Sequence, residues 1–88
     1  MTHDVPLWEK LKEMGLTDRQ AECTMYACQG YINRDIGTKM RIHRQTVKVH
    51  IHDSCERLNV NSRYELMIRA AQEMISDMKW KVLDASDN

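Results

Sequence analysis

Apolar residues recur three and four positions apart along most of this 88-residue chain, and no stretch alternates apolar and polar residues for long. A period near 3.6 belongs to helices with one buried face, whereas half-buried strands need a period of two. The pattern therefore predicts an all-α fold. A domain this short buries only roughly 60–65% of its unfolded surface, so its core is thin. An enclosed catalytic pocket is hard to build around such a core, and a binding module is the expectation.

Start and stop signals divide the pattern into elements. Val5–Met14 carries Leu7, Trp8 and Leu11 at helical spacing, with Gly15 as a stop. Thr17-Asp18-Arg19-Gln20 is a capping box, in which the Thr17 hydroxyl accepts from the Gln20 N–H and the Gln20 side chain reaches back. The helix it opens is expected to run to about Gln29, with Gly30 in the left-handed position that ends helices and Cys23, Tyr26 and Ala27 facing inward. Asn33 is expected to cap a short helix over Arg34–Met40. A longer helix is expected over Arg44–Leu58, burying Val47, Ile51 and Leu58 with small Ser54 and Cys55 between them. Ser62-Arg63-Tyr64-Glu65 reads as a second capping box, opening a helix that reaches Leu83, and Asp84–Asn88 reads as a frayed tail.

Charge is unevenly placed. The chain carries 13 basic and 13 acidic residues, yet residues 30–60 hold a net +3, against −2 before them and −1 after. Three of the four histidines also lie in that middle segment. A local basic patch favours phosphate contact more than overall neutrality opposes it. Cys23, Cys28 and Cys55 are odd in number and lack CxxC spacing, so free thiols in a reducing cytoplasm are expected. No apolar run approaches the ~20 residues of a membrane span, and no leader peptide is visible. A cytoplasmic location and no membrane partner follow as expectations.

A short helix joined by about three residues to a longer one matches helix-turn-helix geometry, in which the first helix braces the second so that it can enter the major groove. The residues sharpen this. LTDRQAE at Leu16–Glu22, Gly30, NRDIG at Asn33–Gly37, TVKVH at Thr46–His50, RL at Arg57–Leu58 and NSRYEL at Asn61–Leu66 fall in order over about 50 residues. In these motifs the chain resembles the LuxR-type helix-turn-helix family. The resemblance implies a four-helix module at residues 16–83 that binds double-stranded DNA, usually as a dimer, preceded by a short N-terminal helical extension at 1–15 and followed by the tail at 84–88. The long last helix belongs to the module.

Some positions depart from the family's pattern. His43 stands where the family usually has a capping Ser, which predicts a weaker cap. Gly37 replaces a usual Ala at an expected cost of roughly 1 kcal/mol in helix propensity. Thr24 and Ser54 stand where large aliphatics are common, which thins the core. Asp53 stands where Asn is common and adds negative charge beside the DNA face, unless it pairs with Arg57.

The candidate DNA-contacting residues follow from the recognition helix. Lys48 can donate to guanine O6 and N7, Val49 can touch a thymine methyl, and His52 lies one turn beyond Lys48. Arg44 and Gln45 precede them and can reach bases or phosphates. Thr46, His50 and Lys39 are candidates for anchoring on the sugar-phosphate backbone, although a local structural hydrogen bond is an equal reading for Thr46 and His50. His50 and His52 point about 200° apart on a helix, and His52 with Cys55 would supply two ligands only, so no metal is expected. No nucleophile–base set or phosphate-binding glycine loop is present, so neither catalysis nor a cofactor is expected, and no small-molecule ligand is evident.

The last helix carries Met67, Ala71, Met74, Ile75, Met78 and Val82 as one apolar stripe. Met67 and Ala71 are expected in the core. Met74, Ile75, Met78 and Val82 lie beyond what so small a core can cover and are expected to form a homodimer interface. Two functions fit the whole: a free-standing sequence-specific transcriptional regulator without a sensor domain, or an interaction module that antagonises a full-length LuxR-type regulator by heterodimerising with it or docks on the transcription machinery. The intact TVKVH and the basic middle segment favour the first.

Overall fold

The computed structural model describes the backbone of residues 7–86 and the side chains of residues 7–74. Within that span the chain forms five helices and no strand: α1 (Leu7–Glu13), α2 (Asp18–Cys28), α3 (Asn33–Met40), α4 (Arg44–Arg57) and α5 (Arg63–Ser86). Val5 and Pro6 at the start of the first predicted helix, and Asp87 and Asn88 of the tail, lie outside the described residues. α5 continues past Leu83 to Ser86.

The helix boundaries follow local chemistry. Both halves of the Thr17–Gln20 capping box form: the Gln20 N–H donates to Thr17 Oγ1 at 3.2 Å, and the Thr17 N–H donates to Gln20 Oε1 at 3.1 Å. Gly30 takes φ +95° two residues beyond α2, a conformation that costs glycine little. The other two expected starts differ. Ile32 occupies the cap position of α3 without a side-chain hydrogen bond, and Asn33 is already helical. The Asn33 side chain is engaged elsewhere, accepting from Arg63 Nη1. At α5 only half of the expected box closes: the Glu65 N–H donates to Ser62 Oγ at 3.1 Å, while the Glu65 carboxylate accepts from the Asn61 N–H at 2.9 Å. Glu65 thus reaches one residue further back than a capping box requires.

The core joins all five helices. Leu11 of α1, Ile36 of α3, Val47 of α4 and Leu66 of α5 are fully buried, and Cys23 and Ala27 of α2 close around them. Burying each of the large aliphatics contributes about 1.5–3 kcal/mol. The inward face read for α4 holds throughout: Val47, Ile51, Ser54, Cys55 and Leu58 are all buried. α1 is more than an appendage, since it packs on both α2 and α5 and buries Leu11 fully. On α5 the reading needs one correction. Ala71 is exposed and Ala70 is buried in its place, because the helix turns its Leu66–Ala70 side inward; Met67 is half-buried against the core.

The two polar core positions behave differently. Ser54 Oγ donates to the His50 carbonyl one turn back at 2.7 Å. Thr24 is fully buried, and its Oγ1 has no hydrogen-bond partner among the described residues.

The turn between α3 and α4 fixes their relative placement. Arg41 adopts the left-handed conformation, φ 61° and ψ 43°, and the chain reverses so that the Ile42 N–H donates to the Gly37 carbonyl at 2.9 Å. A Cβ on Gly37 would lie 2.6 Å from the Ile42 carbonyl oxygen. Gly37 is therefore not merely a weak helix former: its bare Cα lets the turn close against α3.

Candidate nucleic-acid interface

α4 begins with a cap the sequence reading undervalued. His43 Nδ1 accepts from the Gln45 N–H at 3.0 Å, which places the ring proton on Nε2. An imidazole can do this only while neutral. The cap leaves the first turn of α4 intact and exposed.

With Val47, Ile51, Ser54, Cys55 and Leu58 turned inward, the opposite side of α4 is dictated by helix geometry. Arg44, Gln45, Lys48, Val49 and His52 fall at successive spacings of one and three residues and are all exposed, so they share one outward face. Val49 is a large aliphatic left 54% exposed in the middle of that face. Thr46 is exposed and His50 half-buried on its flanks, while Lys39 projects from α3.

Several basic residues of this region are placed differently from four others of the chain. Lys12, Arg19, Arg34 and Arg69 lie 3.1, 3.6, 3.6 and 3.9 Å from Asp18, Glu22, Asp35 and Glu73 respectively. Among the described residues no carboxylate comes within ion-pairing distance of Lys39, Arg41, Arg44 or Lys48, the four basic residues around the turn and the start of α4. Their charge is thus not locally neutralised. The far end of α4 has the opposite character. His52 sits between Asp53 and Glu56, with Nδ1 3.6 Å from the first and Nε2 3.8 Å from the second. Asp53 does not pair with Arg57, whose guanidinium lies over Gly15, where a Cβ would meet Nε at 2.8 Å.

His52, Asp53 and Glu56 present ligand-type atoms within 4.8 Å of one another, all exposed. The sequence reading weighed His50, His52 and Cys55 and did not consider this set. Full hydration of three exposed donors gives an ion little reason to leave water for them. At the thiols burial outweighs the cationic neighbours, Arg19 near Cys23 and Arg63 near Cys28. Burial pushes Cys23 up to about 11 and raises Cys28 and Cys55 above the ordinary thiol value, with Arg63 opposing the shift at Cys28.

Sequence reasoning missed two contributors. Arg63 donates to the Tyr31 carbonyl at 2.6 Å and to Asn33 Oδ1, tying the start of α5 to the start of α3 across 30 residues of chain. Tyr26 and Tyr31 meet edge to face, centroids 5.8 Å apart, beside Lys39. No linear spacing rule joins either group; a lysine and two tyrosines near one predicted corner were the available hint.

The sequence pattern of the luxR family of bacterial regulatory proteins matches residues 14–70, which takes in α2, α3, α4 and the first part of α5. The chain belongs to this family. Its LuxR-family module is similar to that of the nitrate/nitrite response regulator protein NarP of Escherichia coli, at 38% identity over 66% of this chain and 27% of NarP. It is also similar to the transcriptional regulatory protein DegU of Brevibacillus brevis, at 34% identity over 62% of this chain and 23% of DegU. The response regulator protein VraR of Staphylococcus aureus matches at 35% identity over 72% of this chain and 30% of VraR. The chain thus spans less than a third of the length of each of these LuxR-type relatives. No solved structure gives a significant match. The α3–α4 pair of the LuxR-family module is a helix-turn-helix of the DNA-binding, transcription-regulating class, which is not an enzyme class. Among the described residues no helix is long and apolar enough to cross a membrane.

Proposed function

We propose that the chain binds double-stranded DNA sequence-specifically in the cytoplasm as a small transcriptional regulator, with α4 in the major groove. One observation carries this reading: four basic side chains around the turn and the first half of α4 are exposed without acidic partners among the described residues, where Lys12, Arg19, Arg34 and Arg69 each have one. Unneutralised cations gain most from phosphates, because nothing must be broken before they bind. On the outward face, Lys48 and Val49 supply a donor and an apolar contact for base edges, with Arg44, Gln45 and His52 beside them. Thr46, His50 and Lys39 serve the backbone. Selection of bound duplexes from a random pool at fixed salt tests the proposal. A shared sequence among the selected duplexes is expected; recovery of unenriched sequence, or no binding at low salt, overturns it.

The homodimer belongs to the same proposal. On α5, Tyr64 and Ile68 are 74% and 50% exposed, and Ala71 is exposed as well. These lie four and three residues apart, and in sequence the same spacing continues through Ile75, Met78 and Val82. A four-three repeat is the seam of a two-stranded helical pair. Met74, half-buried, lies off this seam, so it is replaced in the proposed interface by Ile68 and Ala71. A second copy is the natural occupant, since two related modules read two half-sites.

A further inference from the structure

We propose that Tyr26 and Tyr31 form an aromatic cradle that holds the Lys39 ammonium in place to grip a phosphate of duplex DNA. This rests on the DNA-binding reading above and assigns positioning residues to it. Lys39 Nζ lies 4.7 Å from the centre of the Tyr31 ring and 5.9 Å from that of Tyr26. The two rings stand at 82° to each other, so the ammonium sits at the corner they make.

The physical advantage lies in what the rings do not do. A carboxylate would also fix the lysine, and it would cancel the charge that a phosphate needs. Aromatic faces attract the cation through their quadrupole and carry no net charge, so the ammonium stays wholly available. A free lysine gives up rotamer freedom when it binds, and a lysine already held gives up less.

The cradle is itself braced. Tyr26 is half-buried on α2 and packs on the core. The Tyr31 N–H donates to the Tyr26 carbonyl at 3.2 Å, and the Tyr31 carbonyl accepts from Arg63 Nη2 at 2.6 Å. The rings thus connect α2, the α2–α3 loop and α5 to a charge on α3, the first helix of the helix-turn-helix. In this motif that helix crosses the phosphate backbone while the second enters the groove.

The test uses the full chain, the best duplex from selection, and the variants Tyr31→Leu, Tyr31→Phe, Lys39→Gln and Tyr31→Leu with Lys39→Gln. Lys39→Gln is expected to lower the salt slope of binding by about one. Tyr31→Leu should weaken binding roughly two- to fivefold when Lys39 is present and leave it unchanged in the Lys39→Gln background, and Tyr31→Phe should retain wild-type affinity. Equal loss in both backgrounds, or none in either, overturns the proposal. Proton NMR of the free protein reads the cradle without DNA: the Lys39 ε-CH2 resonances should lie upfield through the ring currents and return to ordinary positions in Tyr31→Leu. Unshifted resonances in the wild type overturn the cradle. Shifted resonances in a chain that binds no duplex at low salt overturn the DNA reading and the phosphate role together, while leaving the cradle standing.

Discussion

Gly37 and Ile42 approach so closely that a single methyl group on Gly37 would lie 2.6 Å from the Ile42 carbonyl oxygen. That contact sets how tightly the turn folds back on α3, and so the position of α4. Gly37→Ala improves helix propensity by about 1 kcal/mol yet forces backbone to shift against backbone, and overpacking of this kind costs about 1–3 kcal/mol. The variant is expected to be less stable than wild type in urea denaturation followed by circular dichroism. A stability gain would mean that the turn opens without cost.

Lys48→Ala removes a donor from the outward face of α4. If Lys48 reads a base, specific affinity should fall by roughly 1–3 kcal/mol and discrimination should relax at one base pair. Uniform weakening across all duplexes, with a salt slope lower by about one, would place Lys48 on a phosphate instead. Fluorescence anisotropy on the selected duplex and its single-position variants separates the two, and unchanged affinity rules out both.

Asp53→Asn removes a half-exposed negative charge beside His52. Binding is expected to strengthen by roughly two- to fivefold at low salt, and the gain should fade as salt screens the surface. The variant also frees His52 from one of its two acidic neighbours, which acts in the same direction. No gain at low salt would mean that this end of α4 lies off the DNA.

Cys23 is fully buried, with its thiol pushed from 9.0 up to about 11. A raised folded value means that the unfolded chain loses its proton first. The stability contributed by the neutral thiol is therefore complete below about 9.0 and is lost as pH rises toward about 11. At pH 8 the thiolate population of Cys23 should be roughly 100-fold below that of an ordinary thiol. Alkylation of native protein, mapped by mass spectrometry, should leave Cys23 unlabelled until denaturant is added. Rapid labelling of Cys23 in the native state would contradict its burial.

The exposed Tyr64, Ile68 and Ala71 of α5, with the same spacing continuing in sequence, predict reversible homodimerisation, with dissociation in the micromolar range because the contact is short. Sedimentation velocity across a concentration series should show a monomer–dimer equilibrium. The Ile68→Lys, Met78→Lys double variant should be a folded monomer with weakened binding to a palindromic duplex. A monomer at every concentration in the unaltered chain would remove the dimer from the proposal.

The linear sequence determined the helices and the inward face of α4, because periodicity and the Thr17–Gln20 box are local and act wherever the chain goes. It also located the outward residues of α4, since burying Val47 and Ile51 leaves Lys48 and Val49 nowhere else to point. Tertiary structure alone decided the rest. Asn33 looked like a helix cap and became a partner of Arg63, because a neighbour 30 residues away competes for its side chain. Gly37 looked like a defect until the turn closed on it. Ala71 looked buried until the packing of Leu66 and Ala70 set the rotation of α5. Lys39 gained its two aromatic neighbours only when α2 and α3 came together. Capping and periodicity are set within about one turn of helix, whereas helix rotation and side-chain partnership depend on which surfaces meet, and that is settled only by packing the whole core.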